Sequence, residues 1–161
     1  MKMGIISDTH DRDDRVIGAL ELLRDEGAEM LIHCGDITQP QTVRLFAGWQ
    51  MHFVYGNCDG QREVLAAAMD QINATNHQRY GHLEIEGIKL GFLHGDDEQM
   101  LHDLEVSGAY DFLFHGHTHV ARERLSGPTR VINPGALHRA AFHSVLLLDL
   151  PSGTTKLLRV K

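Results

Sequence analysis

The sequence predicts an α/β fold in which a parallel-stranded half is followed by a second sheet rich in antiparallel pairs. Three observations lead there. Apolar strand patterns and an amphipathic helix alternate in β-α-β-α-β order as far as Tyr55, an order that implies parallel strands joined by right-handed crossovers. From His82 onward the pattern changes to short strands, one pair of which is joined by a tight turn. Each of five apolar strands also ends abruptly in Asp, Asn or His beside glycine, and in α/β sheets the loops after the strands share the edge where ligands bind.

The first strand is expected at Met3 to Ser7. An amphipathic helix from about Arg15 to Glu26 follows, with Val16, Leu20 and Leu23 on one face and Gly27 as its stop. Met30 to His33 reads as the second strand. A helix is expected over Pro40 to Ala47, with proline in its first turn, and a third strand over Met51 to Tyr55. Gly60 to Gly81 is read as loop. Leu83 to Ile85, the Glu86-Gly87 turn and Ile88 to Leu93 predict a hairpin. A helix near Glu98 to Val106 then precedes strands at Phe112 to Phe114, Arg130 to Ile132, Ser144 to Leu150 and Thr155 to Val160. No internal repeat or low-complexity linker interrupts the series, so residues 1–161 are expected to form one domain.

At 161 residues, 42% hydrophobic and 23% charged, the composition is that of a globular protein able to bury a core without a metal or disulfide. A formal net charge of -7 opposes extended nucleic acid and anionic membrane surfaces as partners. No apolar run approaches the ~18 residues of a membrane helix. Met1 leads directly into a strand with no secretory pattern, so a cytoplasmic location is expected. Cys34 and Cys58 flank Gly-Asp and Asn-Asp motifs and read as buried or site-adjacent thiols.

The strand ends carry the chemistry: Asp8-Thr9-His10, Gly35-Asp36, Gly56-Asn57-Cys58-Asp59, His94-Gly95-Asp96 and Gly116-His117-Thr118-His119. Their carboxylate, carboxamide and imidazole groups are metal-ligand types, and the glycines let the backbone turn sharply enough for side chains to converge. Asp8, His10, Asp36, Asn57, His94, His117 and His119 make seven candidate ligands, too many for one divalent ion with an open position. Two ions sharing a carboxylate would use them all, as in two-metal hydrolytic sites. Singly, each motif also has a structural reading, such as a helix cap at Asp8 or a turn held by Asn57.

In this order the motifs D-x-H, G-D, G-N-x-D, H-G and G-H-T-H resemble the calcineurin-like metallophosphoesterase superfamily, and most closely its small one-domain YfcE-type phosphodiesterase branch. The resemblance runs from Asp8 to about Gly135. It implies a four-layer fold of two mixed β-sheets sandwiched between helices, and a divalent-metal-dependent phosphodiesterase. In that reading a water or hydroxide bridging two ions attacks phosphorus in line. One ion takes Asp8, His10, Asp36 and His119; the other takes Asp36, Asn57, His94 and His117. The catalytic contribution of Asp36, Asn57, His94 and His117 runs through the metals, with Cys58 and Asp59 as supporting neighbours. Manganese is the first expectation, with nickel, cobalt, iron and zinc also suited to the mixed N/O ligands. The expected partner is a small phosphodiester substrate, and a homo-oligomer is compatible with the sequence.

Two departures from the superfamily pattern stand out. Cys58 occupies the place of a histidine that many members use as leaving-group acid, as is usual in the small branch. Ala136 replaces the serine of Asn-Pro-Gly-Ser. His33 and His115 are expected to be structural, and His52, His77, His82, His102, His138 and His143 to lie at the surface or in packing. Asp59 and Asp96 are expected to hydrogen-bond ligating imidazoles, and Arg139 is a candidate phosphate contact. The alternatives are a phosphomonoesterase on the same site and a non-catalytic protein-interaction scaffold resembling the vacuolar-sorting subunit of the retromer coat. A nuclease would need a basic track that the charge does not offer.

Overall fold

A computed structural model describes all residues, 1–161. Strands β1 (Lys2–Ile6), β2 (Met30–His33), β3 (Gln50–Phe53) and β4 (Thr75–Asn76) run parallel, with helices α1 (Asp13–Asp25), α2 (Pro40–Arg44) and α3 (Arg62–Gln71) in the connections. Strands β10 (His143–Asp149) and β11 (Thr154–Val160) extend this sheet antiparallel beyond β1, giving the order β11-β10-β1-β2-β3-β4. The second sheet comprises β5 (Tyr80–Ile85), β6 (Ile88–Leu93), β7 (Phe112–Phe114), β8 (Arg122–Ser126) and β9 (Thr129–Asn133). Its order is β5-β6-β7-β9-β8, with a parallel centre and antiparallel edges. Helix α4 (Glu98–Val106) joins β6 to β7.

The alternation of side chains along each strand separates the layers. Ile6, Leu31, Met51 and Phe53 point from the first sheet onto Val16, Leu23, Val43, Leu65 and Met69 of α1 to α3. Met3, Ile5, Met30, Ile32 and Leu146 point the other way and meet Leu90, Phe92, Phe114 and Ile132 of the second sheet. Leu93, Leu113 and Val131 cover the outer face of that sheet, against Met100, Leu101 and Leu104 of α4. The result is helix, sheet, sheet, helix: the four layers expected. Both apolar sheet faces are covered, as parallel strands require.

Four elements differ from the sequence expectation. The segment 60–81 holds α3 and β4 rather than loop. The buried face of α3 is Leu65, Ala68 and Met69 at helical spacing, but Ala66 and Ala67 blur its contrast with the exposed face. Strand β8 has no alternating pattern in the sequence to announce it: it is an edge strand whose Leu125 is 72% exposed. Helix α2 is shorter than Pro40 to Ala47, ending at Arg44. No helix is long and apolar enough to cross a membrane.

Candidate metal centre

The loops after β1, β2 and β3 of one sheet and after β6 and β7 of the other meet at a single edge, because all five strands end there. Backbone bonds tie them together: the Asp8 N–H donates to the Gly35 carbonyl at 3.0 Å, the His10 N–H to Asp36 at 3.0 Å, and the Gly116 N–H to His94 at 2.9 Å. Asp8, His10, Asp36, His117 and His119 all have positive φ, between 42° and 67°. This conformation is uncommon for residues other than glycine, least so for Asp and His, and its clustering marks a constrained site. Two glycines permit the close approach. A Cβ at Gly56 would collide with the Asp36 carboxylate, and one at Gly116 with the Ser7 hydroxyl and Asp8 Oδ2.

Asp36 Oδ2 lies 3.4 Å from His10 Nε2 and 3.3 Å from His94 Nε2. Asp8 Oδ1 lies 3.1 Å from His119 Nε2 and 3.9 Å from both His10 Nε2 and His94 Nε2. His94 Nε2 is also 3.0 Å from Asn57 Oδ1. The remaining polar atoms are already engaged. The Ser7 hydroxyl and the His117 N–H donate to Asp8 Oδ2 at 2.5 and 3.0 Å. The Cys58 N–H donates to Asp36 Oδ1 at 2.8 Å. His94 Nδ1 donates to the Cys34 carbonyl at 2.8 Å, which leaves Nε2 as the nitrogen that faces the carboxylates.

Electrostatics reflect this crowding. Burial pushes the Asp8 carboxyl up, but the facing imidazoles of His10, His119 and His94 hold it below the ordinary carboxylate range. Asp36 is likewise lowered: burial opposes the shift, and the hydrogen bond and charge of His94 outweigh it. Burial lowers His94, yet the Asp36 and Asp8 carboxylates raise it to about 9. His119 is raised chiefly by the Asp8 carboxylate that it faces.

Donor atoms fall into three overlapping groups, each within 4.8 Å: Asp8, His10 and His119; Asp8, Asp36 and His94; and His10, Asp36 and Cys58. Asp8 Oδ1 and His10 Nε2 are buried without a hydrogen-bond partner. Buried polar atoms left unpaired are costly, and here they lie among nitrogen and oxygen donors with room to share a cation. The residues fit divalent metal ions. Asn57 joins these donors through His94. His117 stands at the exposed rim with its ring centroid 5.2 Å from that of His94, outside the three groups. Cys58 is exposed; desolvation of its sulfur and the neighbouring Asp36 carboxylate push the thiol up to about 11.

The supporting residues differ from expectation in instructive ways. Asp59 does not bond an imidazole. It accepts backbone N–H bonds from Asp36, Gly56 and Thr38 at 2.8, 2.7 and 2.8 Å and so sets the geometry of two ligand loops. Asp96 is exposed and bonds no ligating ring. His33 is structural, as expected, but at the base of the site. Its Nδ1 accepts from the Gly35 N–H at 3.2 Å, which places the proton on Nε2, 3.1 Å from the Thr9 hydroxyl. Asn133 donates to the Gly116 carbonyl at 2.8 Å and the Thr118 hydroxyl at 3.0 Å, fixing the Gly-His-Thr-His loop. His138 is no bystander: its ring lies 4.8 Å from His10 and 6.2 Å from His119. Nothing in its sequence spacing signals that placement.

Comparison with known proteins places this geometry in context. The profile of the calcineurin-like phosphoesterase superfamily domain matches residues 1–153. Phosphodiesterase MJ0936 of Methanocaldococcus jannaschii is 36% identical over 138 residues, covering 84% of this chain and 83% of the relative. The solved structure of an archaeal phosphodiesterase superimposes with a TM-score of 0.92 at 30% identity, covering 99% of both chains. The phosphoesterase YfcE of E. coli shares the fold, with a TM-score of 0.68 at 21% identity over 100% of both chains.

Proposed function

Because the chain belongs to the calcineurin-like phosphoesterase superfamily, we propose that it is a phosphodiesterase working on two divalent ions, with Asp36 shared between them. Asp8, His10 and His119 complete one ion's ligands; Asn57, His94 and His117 complete the other's. The observation that carries this reading is the position of Asp36 Oδ2, nearly equidistant from His10 Nε2 and His94 Nε2. A carboxylate so placed faces two sets of donors at once. The similarity to a relative named as a phosphodiesterase supports the diester over the monoester.

Divalent ions held there supply an activated water and neutralise charge that develops on the phosphoryl oxygens. Manganese is the first expectation, and the mixed N/O donors also suit nickel, cobalt, iron or zinc. The chain's own residues prepare the site in three ways. Asp59 and the Cys58 N–H aim the Asp36 carboxylate, so that one oxygen is engaged and the other free. The Cys34 carbonyl holds His94 in the tautomer whose Nε2 is a ligand. The Ser7 hydroxyl and the His117 N–H do the same for Asp8, leaving Oδ1 unpartnered.

The test is hydrolysis of bis(4-nitrophenyl) phosphate beside 4-nitrophenyl phosphate by manganese-loaded protein, with Asp36→Asn as control. Faster diester turnover that the substitution abolishes is expected. Preference for the monoester would convert the reading to a phosphomonoesterase, and no turnover with manganese, nickel, cobalt, iron or zinc would overturn it.

A further inference from the structure

Residues 134–143, between β9 and β10, pass over the His10 and His119 side of the candidate centre, and the start of α1 ties that segment down. Arg15 Nη1 donates to the Leu137 carbonyl at 2.9 Å. Arg12 Nε donates to His138 Nδ1 at 3.2 Å, across 126 positions of sequence. A guanidinium has only donors. Nδ1 therefore presents its lone pair, and the ring proton of His138 sits on Nε2. The ring leans over His10, with centroids 4.8 Å apart and planes tilted by 41°. The other guanidinium N–H groups of Arg12 have no protein acceptor, and no carboxylate pairs with it. In a chain of net charge -7, this leaves an uncompensated cation and an imidazole N–H side by side at the lip of the centre.

We propose that Arg12 and His138 form an anion-binding wall that donates hydrogen bonds to the oxygens of the substrate's phosphate group on the His10 and His119 side. This rests on the phosphodiesterase reading, since it assigns the wall to that substrate. A phosphate oxygen accepts from several donors at once, and charge-assisted bonds from arginine are the strong ones. Arg12 acts twice: it sets the His138 tautomer, so that Nε2–H is available without protonating the ring, and it offers its own free N–H groups. The two residues make one unit.

The experiment measures inorganic phosphate binding to the manganese-loaded protein by calorimetry, bis(4-nitrophenyl) phosphate turnover, and bound manganese after dialysis. The variants are His138→Ala, His138→Gln, Arg12→Met and the double variant His138→Ala/Arg12→Met. Expected are a phosphate Kd raised about tenfold and a kcat/KM lowered at least as much in His138→Ala and Arg12→Met. Manganese content should stay at the wild-type level. The glutamine variant should recover part of the loss, because its carboxamide N–H replaces Nε2–H, and the double variant should be no worse than the weaker single one. Phosphate affinity within about twofold of wild type in every variant would overturn the wall. So would a loss that follows loss of manganese, which would make His138 a support for the ligands alone. Wild-type protein that binds phosphate but cleaves neither ester overturns the phosphodiesterase reading, while the affinities of the variants still decide the wall.

Discussion

Replacing His33 with leucine tests whether the two ligand loops at the base of the site are held by one buried imidazole. His33 is fully buried, with Phe46 and Phe53 rings 5.8 and 5.5 Å away. It accepts from the Gly35 N–H and donates to the Thr9 hydroxyl. Leucine keeps most of the volume but strands both groups, each at about 1–3 kcal/mol. His33→Leu should therefore cost about 2–6 kcal/mol near pH 7.5. The pH dependence gives a sharper prediction. Burial lowers the pKa of His33 from 6.5 to about 3, so the folded protein keeps the ring neutral while the unfolded chain takes up a proton below pH 6.5. The unfolded state then binds more protons, and the wild type loses about 1.4 kcal/mol per pH unit as pH falls between those values. The leucine variant has no such group. In urea titrations with chelator present, the gap between wild type and variant should narrow by about 2 kcal/mol from pH 6.5 to pH 5. A gap that stays constant over that range would refute the buried, neutral imidazole.

Further outcomes test the neighbouring supports. Asp59→Ala removes the acceptor of three backbone N–H bonds and should lower stability by about 3 kcal/mol or more, with manganese affinity falling alongside; denaturant melts and metal titration measure the two. Gly116→Ala drives a Cβ into Ser7 and Asp8 and should cost about 1–3 kcal/mol while weakening manganese binding. Gly60→Ala, with open space around its Cβ and no positive φ, should be neutral or stabilising by about 0.4–1 kcal/mol. Manganese at 100 times its Kd should stabilise the wild type by about 2.7 kcal/mol, seen as a higher Tm that EDTA reverses. Asp36→Asn should lose most of that gain.

The ligand-type residues were legible in sequence because each lies within a few positions of an apolar strand end, and strands that share a parallel sheet deliver their C-terminal ends to one edge. Local pattern and sheet topology together are enough to bring Asp8, His10, Asp36, Asn57 and His94 into one place. The supports are of another kind. Asp59 reaches back to Asp36 and Thr38 through its side chain, Asn133 holds a loop 17 positions earlier, and Arg12 meets His138 from the opposite end of the chain. Such contacts depend on how loops cross at the edge, which periodicity does not encode. The same distinction explains the fold. The α1 face of Val16, Leu20 and Leu23 announces itself because it packs on a sheet, whereas β8 is an edge strand whose Leu125 faces solvent and so leaves no apolar alternation to read. Positive φ at Asp8, His10, Asp36, His117 and His119 carries the point further. These residues are held in conformations that cost energy, and it is the long-range partners invisible in the sequence, Asp59, His33 and Asn133, that hold the loops there. Ligand identity is thus a local property of this chain, but ligand geometry is a global one, and substitution of the supports should lower metal affinity without removing a single ligand.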